Sequence, residues 1–243
     1  MMKTEIYIAT HKAYDFPKID GYIPIHVGKA LTDLDLGIIG DNTGDHVSEL
    51  NSNFCELTAL YWMWKNSDAD ILGLVHYRRY FCEDDKNILD IAQYKKLLNN
   101  TIILSKKESF LKREKKMFGI KFLEYYSVQE QYDLVHSDKD WISLRDVILI
   151  RCPVYSSAFE KISNKKNGIS LYNMIIGDSR IIRKYAEWLF NILFELSKNI
   201  DVSNYDSYQR RIFGFMSERL LNVFFYHHRH EYNIIYKSVT PVE

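Results

Sequence analysis

The run Ile71-Leu72-Gly73-Leu74-Val75 is apolar without interruption, and it ends in His76-Tyr77-Arg78-Arg79-Tyr80. A strand that is apolar on both faces has to be covered on both faces, as strands of a parallel sheet are. Strands of that kind alternating with helices argue for an α/β fold. Ligands in such folds sit beyond the carboxyl ends of the strands. The basic, aromatic run after Val75 therefore stands where a ligand is expected.

The rest of the chain fits the same architecture. Glu5-Ile6-Tyr7-Ile8-Ala9-Thr10 reads as a first strand. Tyr22-Ile23-Pro24-Ile25 is a short extended piece, because proline excludes a central ladder position. Gly37-Ile38-Ile39-Gly40 is another, and it passes into Asp41-Asn42-Thr43-Gly44-Asp45, which has loop chemistry throughout. A helix is expected next, with Asn53 as its cap and Glu56 as the capping-box partner. Phe54, Leu57, Leu60, Tyr61 and Trp64 recur along it at helical spacing. Residues 88–98 read as a helix, Thr101-Ile102-Ile103-Leu104 as a strand, and the charge-dense stretch 106–121 as an exposed loop. Two helices are expected over 122–150, the second capped by Asp140, followed by a strand from Leu171 to Ile176. Ile181, Tyr185, Trp188, Leu189 and Leu196 mark one amphipathic helix, and Ile212, Phe215, Leu220 and Phe224 mark a second. Tyr232 to Val239 closes the chain as a strand. The expectation is a single α/β domain with a mostly parallel central sheet and C-terminal helices.

Composition narrows the class of function. With 47% hydrophobic residues, a chain of 243 can bury a full core. Lys and Arg together number 32, as do Asp and Glu, so no long-range field draws nucleic acid or an anionic membrane. Any anion site must come from local clustering. Cys55, Cys82 and Cys152 are far apart and odd in number, which argues against a disulfide framework or a zinc knuckle and for a reducing cytoplasm. The first strand begins almost at once, so no signal peptide is expected. No apolar run reaches the roughly 18 residues of a spanning helix.

Arg78 and Arg79 beside His76 make a concentrated cationic site. An arginine fork can donate two hydrogen bonds to one phosphate, so the pair suits a diphosphate. Alternation along an extended segment would send His76, Arg78 and Tyr80 to one side and Tyr77 and Arg79 to the other. One arginine would then meet the ligand while the other anchors the loop. Asp41, Asn42, Thr43 and Asp45 offer carboxylates, an amide and a hydroxyl that suit ribose, sugar hydroxyls or a metal, although Asp, Asn and Gly also form ordinary turns. Thr10, His11 and Lys12 close the first strand, where nucleotide bases are often held in α/β folds. Gln131, Tyr132 and His136 lie near one helical face, either as a surface patch or as a donor or acceptor contact. Glu218 and Arg219 fall in an otherwise apolar helix and read as a buried structural pair.

Other signals are discounted. Asp33-Leu34-Asp35 and Asp68-Ala69-Asp70 match the Asp-x-Asp pattern of metal-dependent sugar transfer, but neither follows a clear strand. Glu83-Asp84-Asp85 follows one at a distance of several residues and is the better metal candidate of the three, although its first reading is a solvated acidic loop. His227-His228-Arg229-His230 lacks the i, i+4 spacing of a helical metal site. Cations closing a helix are favourable against its dipole. No P-loop, GxSxG or GxGxxG occurs.

The combination Asp41-Asn42-Thr43-Gly44-Asp45, Cys55-Glu56-Leu57-Thr58-Ala59-Leu60-Tyr61-Trp62, Trp64-Lys65-Asn66 and His76-Tyr77-Arg78-Arg79-Tyr80-Phe81 resembles one bacterial family. These are capsular and exopolysaccharide biosynthesis proteins, long catalogued as a domain of unknown function and later tied to glycosyl transfer. Glu130-Gln131-Tyr132, Asn173-Met174, Trp188-Leu189-Phe190 and the stretch Arg211 to Asn222 extend the resemblance over nearly the whole chain. It implies a GT-A-like fold, with a nucleotide-sugar-binding half over 1–105 and a mainly helical acceptor-side half over 106–243. It implies transfer of a hexosyl, in some members galactofuranosyl, group from a uridine diphosphate donor to a lipid-linked or oligosaccharide acceptor.

His76, Arg78, Arg79, Asp45, Glu56 and His136 are then the catalytic candidates. Thr10, His11, Lys12, Asp41, Asn42, Tyr77, Tyr80, Gln131, Tyr132 and Asn173 are the donor-binding ones. A divalent metal, manganese or magnesium, stays open. So do peripheral contact at the inner membrane face and a homo-oligomer. The chain departs from the family at Gly177-Asp178-Ser179-Arg180, where a lysine-bearing stretch is expected, so Asp178 is not taken as a base. The alternative reading is a non-catalytic carbohydrate- or nucleotide-sugar-binding subunit of a polysaccharide assembly complex.

Overall fold

A computed structural model describes residues 2–83, 87–94, 99–117 and 120–241. The first half holds β1 (Thr4–Thr10), β2 (Tyr22–His26), β3 (Ile39–Gly40), α1 (Asn51–Phe54), α2 (Leu57–Asn66), β4 (Ile71–His76), β5 (Arg79–Cys82) and β6 (Thr101–Ser105). Then come β7 (Leu111–Met117), β8 (Ile120–Tyr125), α3 (Val128–Val135), α4 (Asp138–Arg151), α5 (Ser156–Ser163) and β9 (Ile175–Asp178). The chain finishes with α6 (Ser179–Ser197), α7 (Ile212–His227) and β10 (Asn233–Pro241).

Side-chain alternation sorts the main sheet into two faces. Tyr7, Ala9, Leu72, Leu74, Ile102 and Leu104 join a core built with the helices, among them Leu60 of α2, Trp141 of α4, Leu189 of α6 and Phe224 of α7. Ile6, Ile8, Ile71, Val75 and Ile103 face a second core with Tyr80, Phe81, Leu89 and Ile91, against which Tyr14, Phe16 and Ile19 pack. Both faces of β4 are covered, as its apolar run requires, but helices cover only one of them. Each buried Leu, Ile or Phe contributes about 1.5–3 kcal/mol, against about 0–1 kcal/mol for an exposed ion pair. The two cores therefore dominate the energetics of the fold.

The sheet is mixed, which corrects the expectation of a mostly parallel one. Four of its pairings are parallel and four antiparallel. β3, β2, β1 and β4 run side by side in one direction. β9 lies antiparallel between β4 and β6, and β5 returns from β4 as a hairpin. Gly73 lets β9 approach, since a Cβ there would lie 2.8 Å from Ile176 Cγ1. A strand covered on both faces is apolar whatever the direction of its neighbours, so the hydrophobic run could not report direction. Pro24 is tolerated in β2 because β3 pairs only with Ile25 and His26.

Several local expectations are also corrected. The helix expected from Asn53 breaks at Cys55, whose φ is +53°, and restarts at Leu57. Asn51 Nδ2 secures the break by donating to Cys55 O at 2.8 Å and to Thr58 Oγ1 at 3.1 Å. Asn53 therefore caps nothing, and its amide donates to Arg210 O. His76 to Tyr80 is not extended: Tyr77 and Arg78 form the turn between β4 and β5. The charged stretch 106–121 contributes β7 and the start of β8, a two-stranded ribbon with Glu114 and Lys121 paired at 2.8 Å. A ribbon wet on both faces has no apolar side to reveal it. Ser137, not Asp140, precedes α4, and Asp140 instead accepts from Tyr205 Oη. Tyr172 and Asn173 have φ of +72° and +52°, so the strand expected from Leu171 begins only at Ile175. Of the expected helix over 88–98, only a 3-10 turn at Ile91–Tyr94 forms within the described residues.

Candidate active site

A cavity of about 840 Å³ opens where β1 and β4 end. His11 follows β1, His76 ends β4, and Tyr77, Arg78 and Arg79 come from the hairpin turn. Arg78 lies over the Tyr77 ring at 4.9 Å and Arg79 over the Tyr172 ring at 4.7 Å. These contacts place both guanidinium groups over aromatic rings within cation–π distance. The turn, rather than strand alternation, thus brings both arginines to one cavity. Tyr80 goes the other way: it is fully buried in the second core.

Cys55 and Glu56 reach the cavity from the break between α1 and α2. Glu56 Oε1 accepts from Asn173 Nδ2 at 2.6 Å. Asn173 is buried, accepts from Ser217 Oγ at 2.6 Å and donates to Gly214 O at 3.1 Å. Gly214 faces Cys55 here, and a Cβ on it would make ordinary contact with Cys55 Sγ at 3.4 Å. Glu56 is therefore a positioned carboxylate and not a capping partner. Three non-glycine residues with positive φ, namely Cys55, Tyr172 and Asn173, border this one region. Backbone strain of that kind persists where surrounding structure holds it, and it concentrates at functional sites.

The opposite wall comes from α7 and the turn before it. Ser207, Tyr208, Arg210, Arg211, Phe215 and Glu218 line it. Arg211 Nε donates to Cys55 Sγ at 3.2 Å. Glu218 is committed on both oxygens, accepting from Tyr172 N and from Arg219 Nη1, each at 2.8 Å.

The electrostatics follow from this packing. Burial lowers the His11 pKa, and the cations Lys12, Arg78 and Arg211 lower it further. Burial likewise lowers His76 despite the opposing charge of Glu56, with Arg79 adding to the shift. Both rings are thus held toward the neutral form in a cation-rich cavity. His76 Nε2 is shut off from solvent and has no hydrogen-bond partner among the described residues. Burial raises the Glu218 carboxyl, and nearby Glu56 reinforces the rise against Arg219 and the Tyr172 N–H. Burial also pushes the Cys55 thiol up to about 12, so it is not a thiolate nucleophile at neutral pH.

The remaining sequence candidates lie elsewhere. Asp41 is fully buried, and its carboxylate accepts from Gly28 N, Lys29 N and Ser48 Oγ. Asn42 is exposed on the turn, and Asp45 accepts from Tyr61 Oη at 3.0 Å. Thr10 Oγ1 donates to Lys12 O and shapes the turn after β1, while Lys12 Nζ sits 5.4 Å from the Tyr77 ring. Gln131 Oε1 accepts from Arg219 Nη2 at 2.7 Å, and Tyr132 is buried against Trp141. His136 stacks behind Phe215 at 4.5 Å. Asp178 caps α6 and pairs with Arg180. It sits opposite Ile71, at the end of β4 remote from His76.

Arg211, Tyr208, Phe215 and Tyr172 were not singled out as site residues from the sequence. Their one signal is density of aromatic and basic residues at the start of α7. No group of three or more metal-ligating side chains occurs among the described residues. Among the described residues Glu56 and Glu218 supply the cavity's carboxylates, with both Glu218 oxygens and one Glu56 oxygen held by protein donors, so these residues do not fit a dedicated divalent-metal site. Asp84 and Asp85 lie outside the described residues.

Fold and site together define an α/β protein with a large cation-walled cavity at the strand ends. The chain belongs to the family described as a domain of unknown function, DUF4422, which matches residues 5–229. It is similar over 99% of its length to a solved structure of the WbbM bifunctional glycosyltransferase in its apo form, with 27% identity and a TM-score of 0.83. The chain spans 45% of that protein's chain. No curated protein matches. The family is thereby related to glycosyltransferases.

Proposed function

We propose that the chain is a glycosyltransferase that moves a hexosyl group from a uridine diphosphate sugar to a glycan acceptor in capsular or exopolysaccharide synthesis. The observation that carries this reading is the meeting of Arg78, Arg79 and Glu56 in one cavity at the ends of β1 and β4. The cavity volume, about 840 Å³, suits a nucleotide sugar with its acceptor. In this reading the fold is GT-A-like and the diphosphate lies on the hairpin turn.

Glu56 is the general base. Its Oε1 is fixed by Asn173, and Oε2 has no hydrogen-bond partner among the described residues. It takes the proton of the acceptor hydroxyl, whose oxygen forms the new bond to the anomeric carbon. The bond from that carbon to the diphosphate oxygen breaks, and the electron pair leaves with uridine diphosphate. Arg78 and Arg79 stabilise the charge that develops there. Attack from the face opposite the leaving group inverts the anomeric centre. Galactofuranose as the transferred sugar rests on the family resemblance.

The three cysteines are all free, which supports a reducing cytoplasm. No helix of the described residues is long and apolar enough to cross a membrane. Peripheral contact with the membrane that carries a lipid-linked acceptor belongs to the same reading.

Titration calorimetry with uridine diphosphate, paired with sugar release from uridine diphosphate sugars, tests the proposal. Arg78→Ala and Arg79→Ala should each weaken nucleotide binding at least tenfold. Glu56→Gln should keep binding and lose at least a hundredfold in turnover. Wild-type protein that binds no uridine diphosphate would refute it. Binding without turnover across a donor panel would favour the non-catalytic subunit.

A further inference from the structure

Tyr208, Phe215 and His136 form a three-ring cluster on the α7 side of the cavity. Tyr208 and Phe215 are 5.0 Å apart between ring centroids, with planes tilted by 42°. His136 stacks on Phe215 at 4.5 Å with planes 28° apart, and on Tyr208 at 6.0 Å with planes 15° apart. Tyr208 is the most exposed ring of the three, at 48%, and both Tyr208 and Phe215 line the cavity.

The segment that carries Tyr208 is tied down on both sides. Asp206 Oδ1 accepts from Tyr208 N at 2.9 Å and from Gln209 N at 2.7 Å. Gln209 links to His136 Nδ1 at 2.9 Å and donates to Val135 O at 2.8 Å. Arg210 donates to Tyr205 O and Ser203 O. The rings are thus set before any ligand arrives, and binding there orders little that is not already ordered.

An aromatic face offers no strong hydrogen-bond partner, so it suits a solute with an apolar face and a polar rim that keeps its own hydrogen bonds. A sugar ring is such a solute. Ser207, exposed beside Tyr208, and Arg210 supply polar groups at the edge of the stack. In the glycosyl-transfer reading Arg78 and Arg79 draw the donor's phosphates to the opposite wall, while Arg211 lies 5.5 Å from the centre of the Phe215 ring and leaves Tyr208 the more exposed ring of the pair. We infer that Tyr208 is the platform of the acceptor subsite, on which a pyranose ring of the acceptor glycan stacks. His136 is a positioning residue behind it rather than a base. This assignment rests on the glycosyl-transfer reading for the word acceptor, but the sugar-binding platform itself does not.

Saturation-transfer NMR with methyl β-D-galactopyranoside, with and without uridine diphosphate, tests it on the full chain. The expected result is transfer to the sugar's C–H protons in wild type and in Tyr208→Trp, with at least a fivefold loss in Tyr208→Ala. Calorimetry should find uridine diphosphate binding within threefold in all three proteins. Circular dichroism melts check that each variant is folded, and Tyr208→Trp keeps the platform if alanine perturbs the turn. The inference is overturned by unchanged saturation transfer in Tyr208→Ala, or by no transfer to the sugar in wild type. A parallel loss of nucleotide binding in Tyr208→Ala also overturns it, since the base would then be what stacks there. Sugar binding with no nucleotide binding in wild type would leave the platform standing and sink the glycosyltransferase reading instead.

Discussion

Asn173→Ala removes the side chain that joins the Glu56 carboxylate to α7. Three hydrogen bonds go: to Glu56 Oε1 at 2.6 Å, from Ser217 Oγ at 2.6 Å, and to Gly214 O at 3.1 Å. A bond to a charged group contributes about 1.5–3 kcal/mol and a neutral one about 0.5–1.5 kcal/mol. Ser217 keeps its own bond to Gly214 O at 2.9 Å, so the two neutral losses are partly made good and the cost falls mainly on Glu56. Alanine at a φ of +52° adds about 1 kcal/mol, because it tolerates the left-handed region less well than asparagine. The expected loss is about 3–5 kcal/mol, a fall in Tm on the order of 10 °C for a chain of this length. Urea denaturation of Asn173→Ala, Glu56→Ala and the double variant isolates the pair. Their coupling should be about 1.5 kcal/mol, the low end for a charged bond, because Glu56 is only half-buried. Asn173→Gly, which relieves the backbone, should recover about 1 kcal/mol. Coupling below about 0.5 kcal/mol would refute the claim that Asn173 holds Glu56 in place.

Two further outcomes separate structural from functional carboxylates. Asp41→Ala strips three donors of a fully buried carboxylate and should cost about 3–5 kcal/mol, while the protein that remains folded binds uridine diphosphate as wild type does. Wild-type stability with lost nucleotide binding would instead make Asp41 a ligand contact. Glu218 has a folded pKa above its ordinary 4.5, so the folded state holds its proton longer and stability falls as pH rises through the folded value. Across urea midpoints from pH 4 to 8, wild type should lose stability relative to Glu218→Gln as the pH climbs. A flat or rising difference would contradict the raised pKa.

The residue pattern by itself determined that a doubly covered strand ends in His76, Tyr77, Arg78 and Arg79, and that amphipathic helices near 181–196 and 212–224 join the core. Those features follow from burial and periodicity, which are local and survive in the linear chain. Direction did not survive: Ile71 to Val75 is equally apolar beside parallel β1 and antiparallel β9. The ribbon of β7 and β8 escaped notice because its charges alternate with nothing buried. Asp41 looked like a binding residue because a turn and a sugar site use the same side chains, and only its three protein donors tell them apart.

Tertiary structure alone decided the site's second wall. Tyr208, Arg211, Phe215 and Glu218 are more than a hundred residues from Arg78, and nothing in their spacing refers to it. They meet because α7 packs against the strained break at Cys55. That break turned Glu56 from an expected capping-box partner into a carboxylate that lines the cavity. The hairpin turn, for its part, put Arg78 and Arg79 on the same side when extended geometry would have parted them.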